Sequence, residues 1–388
     1  MLTTSHSSLR LALFCKVVDN FGDIGICWRL ARQLQREHQI AVTLWVDDLV
    51  SFQKICPDLN VDLPTQMLQE VYVRLWQNQD DHFQISDVAE IVIEFFACDI
   101  PPAYIATMAQ CQPKPVWINL EGLSAEEWVE GCHTLPSSHP QYSLTKYFFF
   151  PGFTHKTGGL LLEQNLIKDR ESFQQSPHQR VEFLGSLGLE KFEIDNFLIS
   201  LFCYPHAAVG ELFQTWENTN EPITCLVPVG VARQAVEQFL RSEAIAGAHA
   251  RRGNLTVRVI PFVPQQDYDQ LLWCCDFNFV RGEDSFVRAQ WANKPFIWHI
   301  YPQDENLHHK KLHAFLQRHD STSRASQDFS LAWNDAIASP DWSVLWTNLF
   351  GDLIELQKQS EIWQREMREI GDMTLNLMKF IHEKRQNL

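Results

Sequence analysis

The sequence predicts an α/β protein built from two Rossmann-like domains, and three observations lead there. Short apolar runs alternate with segments of helical period almost from end to end, the pattern of parallel sheets covered by helices on both faces. The chain has 388 residues, too many for one ordinary core. Hydrophobic residues make up 45% and charged residues 21%, a well-packed globular composition rather than a disordered one.

In chain order, Leu11 to Val18 reads as a buried strand and Ile24 to Gln35 as a helix carrying Cys27, Leu30, Ala31 and Leu34 on one face. Strands follow at Ala41 to Val46, Val71 to Trp76, Ile91 to Ala97, Val116 to Leu120 and Tyr147 to Phe150. The segment Gln164 to Glu190 is polar and poorly periodic until Val181-Glu182-Phe183-Leu184, and it reads as a seam. The domains are therefore placed at 1–184 and 185–350. In the second, strands are expected at Leu198 to Tyr204, Thr224 to Val229, Val257 to Val263, Phe277 to Val280 and Pro295 to Tyr301. Val231 to Ala244 and Asp267 to Cys274 are helical segments between them. Residues 351–388 carry Trp363, Met367, Ile370, Met373, Leu377 and Ile381 at helical spacing, a core-packing stripe on helices expected to cross back to the N-terminal domain. Ligands in such folds sit outside the carboxyl ends of the strands, so a cleft between the domains would receive loops from both.

Asp+Glu 48 against Lys+Arg 32 gives a net charge of −16, which argues against a nucleic-acid ligand. The 10 cysteines form no C-x-x-C pair and no zinc-site spacing, and reduced cytoplasmic thiols account for them. The residues through Arg10 are mostly polar, and the run that follows is broken by Lys16 and ended by Asp19, unlike a signal peptide. No apolar run of about 18 residues is present to span a membrane. A cytoplasmic protein without a membrane partner is expected.

The most informative stretch is Arg281-Gly282-Glu283-Asp284-Ser285-Phe286-Val287-Arg288-Ala289-Gln290, between a strand-like and a helix-like run. A glycine turn there exposes backbone N–H groups at the positive end of a helix dipole, where phosphate oxygens bind. Glu283 and Asp284 would repel that anion, which suggests that one of them meets a hydroxyl or a cation instead. A structural reading stands beside this one, with Asp284 or Ser285 as an N-cap.

The first strand ends in Asp19-Asn20-Phe21-Gly22-Asp23-Ile24-Gly25, which lacks G-x-G-x-x-G and places carboxylates where a dinucleotide pyrophosphate would sit. Paired carboxylates can coordinate a metal, act as acid and base, or grip a guanidinium; equally, Asp23 is placed to cap the helix. Phe202-Cys203-Tyr204-Pro205-His206 and Pro261-Phe262-Val263-Pro264-Gln265-Gln266-Asp267-Tyr268 bring aromatics and amides suited to a flat base, or to an ordinary core. The loop Pro151 to Gly159 either lines a cleft or forms a flexible connection. His308, His309 and His313 lack H-E-x-x-H and read as a solvated helix face, and no G-x-S-x-G elbow is present.

Taken together, Phe14 to Gly25, Pro151-Gly152-Phe153-Thr154 with Lys156-Thr157-Gly158-Gly159, Arg281 to Gln290, and Lys294 to Asn306 resemble the elongation factor P arginine rhamnosyltransferases (EarP). The resemblance implies a GT-B glycosyltransferase fold, with the acceptor on the N-terminal domain and the nucleotide sugar mainly on the C-terminal one. It implies dTDP-β-L-rhamnose as donor and an arginine of elongation factor P as acceptor, joined with inversion as α-rhamnosyl-arginine. The modified factor would relieve ribosome stalling at polyproline. Asp23 matches the general base of the family pattern, and Asp19 and Glu283 match further essential carboxylates. Asp284, Ser285 and Tyr204 match diphosphate contacts. Phe202, Gln265 and Tyr268 fall where the thymidine is held, with Tyr268 standing where the family has phenylalanine, and Phe262 is counted with the donor-binding residues. Asn20, Phe21 and Gly22 are expected in a loop that lines the cleft. The resemblance implies no cofactor and no metal, and no D-x-D-like metal loop lies in the expected position.

The chemistry of these residue types fits. A guanidinium has a pKa above roughly 12, and its nitrogens are poor nucleophiles while the charge is delocalised. Two carboxylates can fix its plane, and one can receive the proton as the new bond forms. Two other classes remain open at this level: a GT-B enzyme of different donor or acceptor, and a binding protein on a degenerate transferase fold.

Overall fold

Residues 9–19, 21–319 and 323–386 are described by the computed structural model. They form two units, the chain entering the second after Gln164 and returning to the first after Glu366.

The first unit holds β1 (Arg10–Cys15), β2 (Ala41–Val46), β3 (Thr65–Leu68), β4 (Val71–Leu75), β5 (Ile91–Phe95), β6 (Val116–Leu120), β7 (Pro136–Ser138) and β8 (Thr145–Phe149). Their order is β3-β4-β2-β1-β5-β6-β8-β7, parallel except for the edge pairs β3·β4 and β7·β8. The central strands β1, β5 and β6 are apolar along nearly their whole length because both faces of a parallel sheet are covered. On one face Phe14 stacks on Trp45 and meets Trp76 and Tyr104 edge-on, an aromatic cluster that fixes the strands against one another.

Of the terminal segment 351–388 expected to cross back, the last helix, Met373–Gln386, belongs to this first unit, whereas most of the helix Leu353–Ile370, Trp363 included, belongs to the second. Leu160 O accepts from Met373 N at 2.9 Å, and Asp372 Oδ1 accepts from Leu162 N at 3.0 Å. A Cβ at Gly159 (φ +78) would stand 2.5 Å from the carbonyl oxygen of Gly371, so the two segments approach only because residue 159 is glycine. The loop Pro151 to Gly159 is thus a packed, largely buried connection rather than a flexible one, with Phe153 and Thr157 each 6% exposed.

The second unit holds β9 (Phe197–Leu201), β10 (Ile223–Pro228), β11 (His249–Arg252), β12 (Leu255–Ile260), β13 (Phe277–Arg281) and β14 (Phe296–His299). Their order is β11-β12-β10-β9-β13-β14, parallel except for β11·β12. Its core is aromatic: Trp216, Phe277, Phe279, Phe329, Trp333 and Trp346 are buried together with their rings in contact.

The division between the units differs from the boundaries 184 and 350 expected from composition. The helices Leu166–Gln174 and Pro177–Ser186 belong to the second unit because their long polar side chains clasp its carbonyls. Arg170 donates to Trp291 O, Gln174 to Trp273 O and Ala292 O, and Arg180 to Cys274 O. At the far end Trp363 donates to Gln290 and Gln364 to Trp291 O, which carries this unit on to Glu366. The polarity that reads as a linker is therefore that of a hydrogen-bonded clasp.

Candidate active site: two strand-to-helix turns

In the first unit, β1 runs into the helix Gly22–His38 through a short turn at the carboxyl edge of the sheet. Asp23, in the first turn of that helix, does not cap it: Phe21 occupies the cap position and no side chain bonds there. Instead Asp23 Oδ2 accepts from the backbone N–H groups of Val18 and Asp19, both at 2.8 Å, which ties the turn back onto the helix. Asp47, just after β2, accepts from Val17 N at 2.8 Å and holds the start of the same turn. Gly22 N donates to Asp19 O at 2.6 Å, and a Cβ on Gly22 would meet Asp19 Oδ2 at 2.6 Å. The glycine therefore lets the Asp19 carboxylate lie against the backbone at the helix start. Asp23 is only 7% exposed. Burial raises its pKa above the usual carboxylate range, the two backbone donors oppose that, and the charge of Asp47 adds to it. The turn thus holds two carboxylates, one of them with heightened affinity for a proton. Asn20 lies outside the described residues.

In the second unit, β13 runs into the helix Asp284–Ala292 through Gly282 at φ +59, with Glu283 at the cap position. Ser285 Oγ accepts from Arg281 N at 2.9 Å and donates to Arg281 O, closing the turn without a charge. Asp284 Oδ2 accepts from Gln265 Nε2 at 3.1 Å, which links this turn to the helix Gln265–Cys274. Phe202, just beyond β9, has its ring 6.4 Å from Phe262 and 6.1 Å from Tyr268. Every residue expected to hold the donor therefore falls in one neighbourhood of the second unit. Burial keeps the Tyr268 hydroxyl protonated well beyond the usual phenol range.

Sequence reasoning passes over Arg281 and His299. The Arg281 guanidinium lies 4.5 Å from the centre of the Phe202 ring and 4.7 Å from that of Tyr204, and donates to Cys203 O at 3.1 Å. It places a cation beside the Gly282 turn, on aromatic faces that limit its motion. His299 pairs in register with Arg281 on β14, and its Nδ1 accepts from Tyr204 N at 3.1 Å. Burial and nearby cations hold the His299 imidazole neutral, so it serves as an acceptor that fixes the Tyr204 backbone. The signal for Arg281 is its place at the carboxyl end of a buried strand, but its stacking partners are remote in sequence.

The histidine reading holds for the exposed His313 and needs correction for the other two. His308 is buried rather than solvated and its Nδ1 accepts from Gln303 N, while His309 bonds to Asn334 O. Among the described residues one group with metal-ligand spacing occurs, Glu37, His38 and Asp372. Glu37 accepts from Gln33 and Gln164 N, His38 bonds to Thr374, and Asp372 accepts from Leu162 N, so the group serves to anchor the returning chain. No helix among the described residues is long and apolar enough to cross a membrane.

Residues 11–382 match the family described as "Elongation-Factor P (EF-P) rhamnosyltransferase EarP". The chain belongs to the EarP family. A protein-arginine rhamnosyltransferase of Pseudomonas putida is 45% identical over 374 residues, 95% of this chain and 97% of its own. One of Pseudomonas aeruginosa is 43% identical over 375 residues, with 95% and 97% covered. A solved structure described as the "structural basis for EarP-mediated arginine glycosylation of translation elongation factor EF-P" is 32% identical with a TM-score of 0.67. That likeness spans 96% of this chain and 99% of the other. The EarP chain described here is accordingly a glycosyltransferase of the protein-arginine rhamnosyltransferase kind, and its two Rossmann-like units are those of the GT-B fold.

Proposed function

We propose that this chain moves L-rhamnose from dTDP-β-L-rhamnose to an arginine side chain of elongation factor P, inverting the anomeric carbon. The observation that carries this reading is the contrast between its two turns: a buried, proton-seeking Asp23 beside Asp19 in the first, and in the second a helix start at Gly282 to Ser285 closed by a neutral hydroxyl with the Arg281 cation stacked beside it. The acceptor is placed on the first unit and the donor on the second.

Asp19 and Asp23 orient the guanidinium and localise its charge away from the attacking nitrogen. That nitrogen forms the bond to C1 as the bond from C1 to the diphosphate oxygen breaks, and dTDP leaves with the electron pair. The proton released from the nitrogen passes to the Asp23 carboxylate, whose buried position favours its uptake. On the donor side the amides at the start of the helix Asp284–Ala292, the Ser285 hydroxyl, Tyr204 and Arg281 face the charge that builds on the diphosphate. Phe202, Phe262, Gln265 and Tyr268 hold the thymidine between rings and an amide. Glu283, a carboxylate beside an anion site, is assigned to the sugar or the acceptor rather than to the nucleotide. The residues present call for no metal and no other cofactor in this scheme, and a single displacement produces inversion.

Incubation of elongation factor P with the chain and dTDP-β-L-rhamnose, followed by mass measurement, tests the reading directly: one deoxyhexose should appear on one arginine. dTDP should also raise the thermal midpoint more than UDP does, since a ligand selective for the folded state stabilises it by mass action. Equal shifts with the two nucleotides would count against the assigned donor.

A further inference from the structure

Strand β5 lies beside β1, with Phe14 opposite Glu94, so the residues after β5 leave the sheet at the edge that carries Asp19 and Asp23. Here the backbone turns left-handed at three non-glycine residues, Phe96 (φ 53), Ala97 (φ 47) and Asp99 (φ 55). Side chains disfavour that region, and such residues persist only where the surroundings over-determine them. The surroundings here are specific. Phe96 N donates to Leu120 O at 2.9 Å, and Ala97 N donates to Oδ1 of the fully buried Asn119 at 2.8 Å. Asn119 in turn donates to Glu121 at 2.5 Å, and the buried Cys98 thiol points to Phe14 O.

The result of this bracing is an aromatic ring held outward. Phe96 is 41% exposed while Phe95 beside it is 1% exposed, their ring centres 4.4 Å apart. The ring gains an edge-on contact with Phe95, yet the strained backbone still leaves much of it in water, so burial alone does not account for its placement. From the neighbouring turn Val18, 66% exposed, adds a second apolar side chain at the same edge. Carboxylates follow the adjacent strands there: Asp47 after β2, Asp19 after β1, Asp99 after β5 and Glu121 after β6. Exposed apolar groups among acidic ones suit a protruding loop that is itself basic, with an arginine at its tip.

We propose that the turn Phe96 to Asp99 is an acceptor-gripping surface, with the Phe96 ring packing against the protein loop that presents the arginine. This rests on the transferase reading above and gives that acceptor site a second contact from β5. Phe96 is a positioning residue: it sets how well the acceptor protein is held and leaves the chemical step and the donor untouched.

Steady-state transfer to elongation factor P, at saturating dTDP-β-L-rhamnose, tests it with three variants. Phe96→Ala should raise the acceptor KM about ten-fold, as loss of an aromatic anchor does, with kcat changed less than about two-fold. Its thermal midpoint and its dTDP-induced shift should stay those of the unmodified chain. Phe96→Tyr, which keeps the ring, should restore the KM, and Phe96→Lys, which places a cation against a basic loop, should raise it further. An unchanged acceptor KM in both Phe96→Ala and Phe96→Lys would overturn the proposal. So would a Phe96→Ala chain whose midpoint falls and whose dTDP response is lost, since the ring would then be structural. Absence of transfer by the unmodified chain would instead sink the function on which the proposal rests.

Discussion

The turn after β1 and the turn after β13 both carry two carboxylates and differ in the side chain that closes them. Each leads from a buried parallel strand into a helix, and in each a side chain from the first helical turn reaches back to hold the preceding backbone. In the first the reaching group is the Asp23 carboxylate, which takes the Val18 and Asp19 amides for itself and leaves a net negative turn. In the second it is the neutral Ser285 hydroxyl, with a glycine at 282 and the Arg281 cation stacked beside it. Under the function proposed above, the buried Asp23 carboxylate suits the first turn to a cationic acceptor, and the Arg281 cation beside the second suits it to an anionic donor.

Breaking the first turn should have the largest effect. Asp23→Asn keeps the size of the group and part of its hold on the Val18 and Asp19 amides, but it removes the proton acceptor. Transfer to elongation factor P should fall by roughly 10²–10⁴-fold with dTDP affinity unchanged, measured by product mass and nucleotide titration. Near-normal turnover would move the base role to Asp19 or Glu283.

The same carboxylate sets a pH test. Its folded pKa lies above its unfolded one, so the native chain holds that proton more tightly. Its contribution to stability is present at low pH and is lost as pH rises through the folded pKa, the reverse of an ion-paired aspartate. Turnover, which needs the ionised base, should drop as pH falls through the same window, at higher pH than an ordinary aspartate would give. Unfolding and rate profiles of the unmodified chain and of Asp23→Asn would reveal it; a stability profile unaltered by the substitution would contradict it.

In the second turn the effects should be smaller and should separate. Glu283→Gln should lower turnover by about ten-fold or more while dTDP binding holds. Proportional losses in a paired titration would make Glu283 a nucleotide ligand. Arg281→Gln should weaken dTDP binding by roughly 1.5–3 kcal/mol, the scale of a hydrogen bond to a charged group, read by calorimetry. Smallest of all, Ser285→Ala leaves the amides in place and should cost donor binding about 0.5–1.5 kcal/mol. A loss as large as that of Arg281→Gln would mean that the hydroxyl, not the backbone, organises the turn.

Most of the fold is legible in the sequence because the central strands are local apolar runs. Val116–Leu120 and Ala41–Val46 match expectation residue for residue. The strands passed over are β3, β7 and β11, all antiparallel edges whose exposed or half-exposed residues leave no such run. The residues expected to hold the donor come from the resemblance, and the structure places Phe202 and Tyr204 past β9, Phe262 past β12, Gln265 and Tyr268 on the helix Gln265–Cys274, and Asp284 and Ser285 at the helix start after β13.

By itself, then, the sequence determined the alternation of strands and helices, the two glycine-bearing turns and the family. These depend on residues close together in the chain, where periodicity and turn chemistry act. Only the tertiary structure decided that Asp23 braces its own turn rather than capping its helix, since the choice depends on where Asp47 at the end of β2 holds Val17. It decided likewise that Arg281 stacks on Phe202 and Tyr204, that the backbone of Phe96 and Ala97 is tied to Leu120 O and Asn119, and that the polar segment after Gln164 clasps the second unit. Each of these contacts joins residues brought together by strand order or by helices packed on the sheet, and both are properties of the whole fold rather than of any local run of side chains.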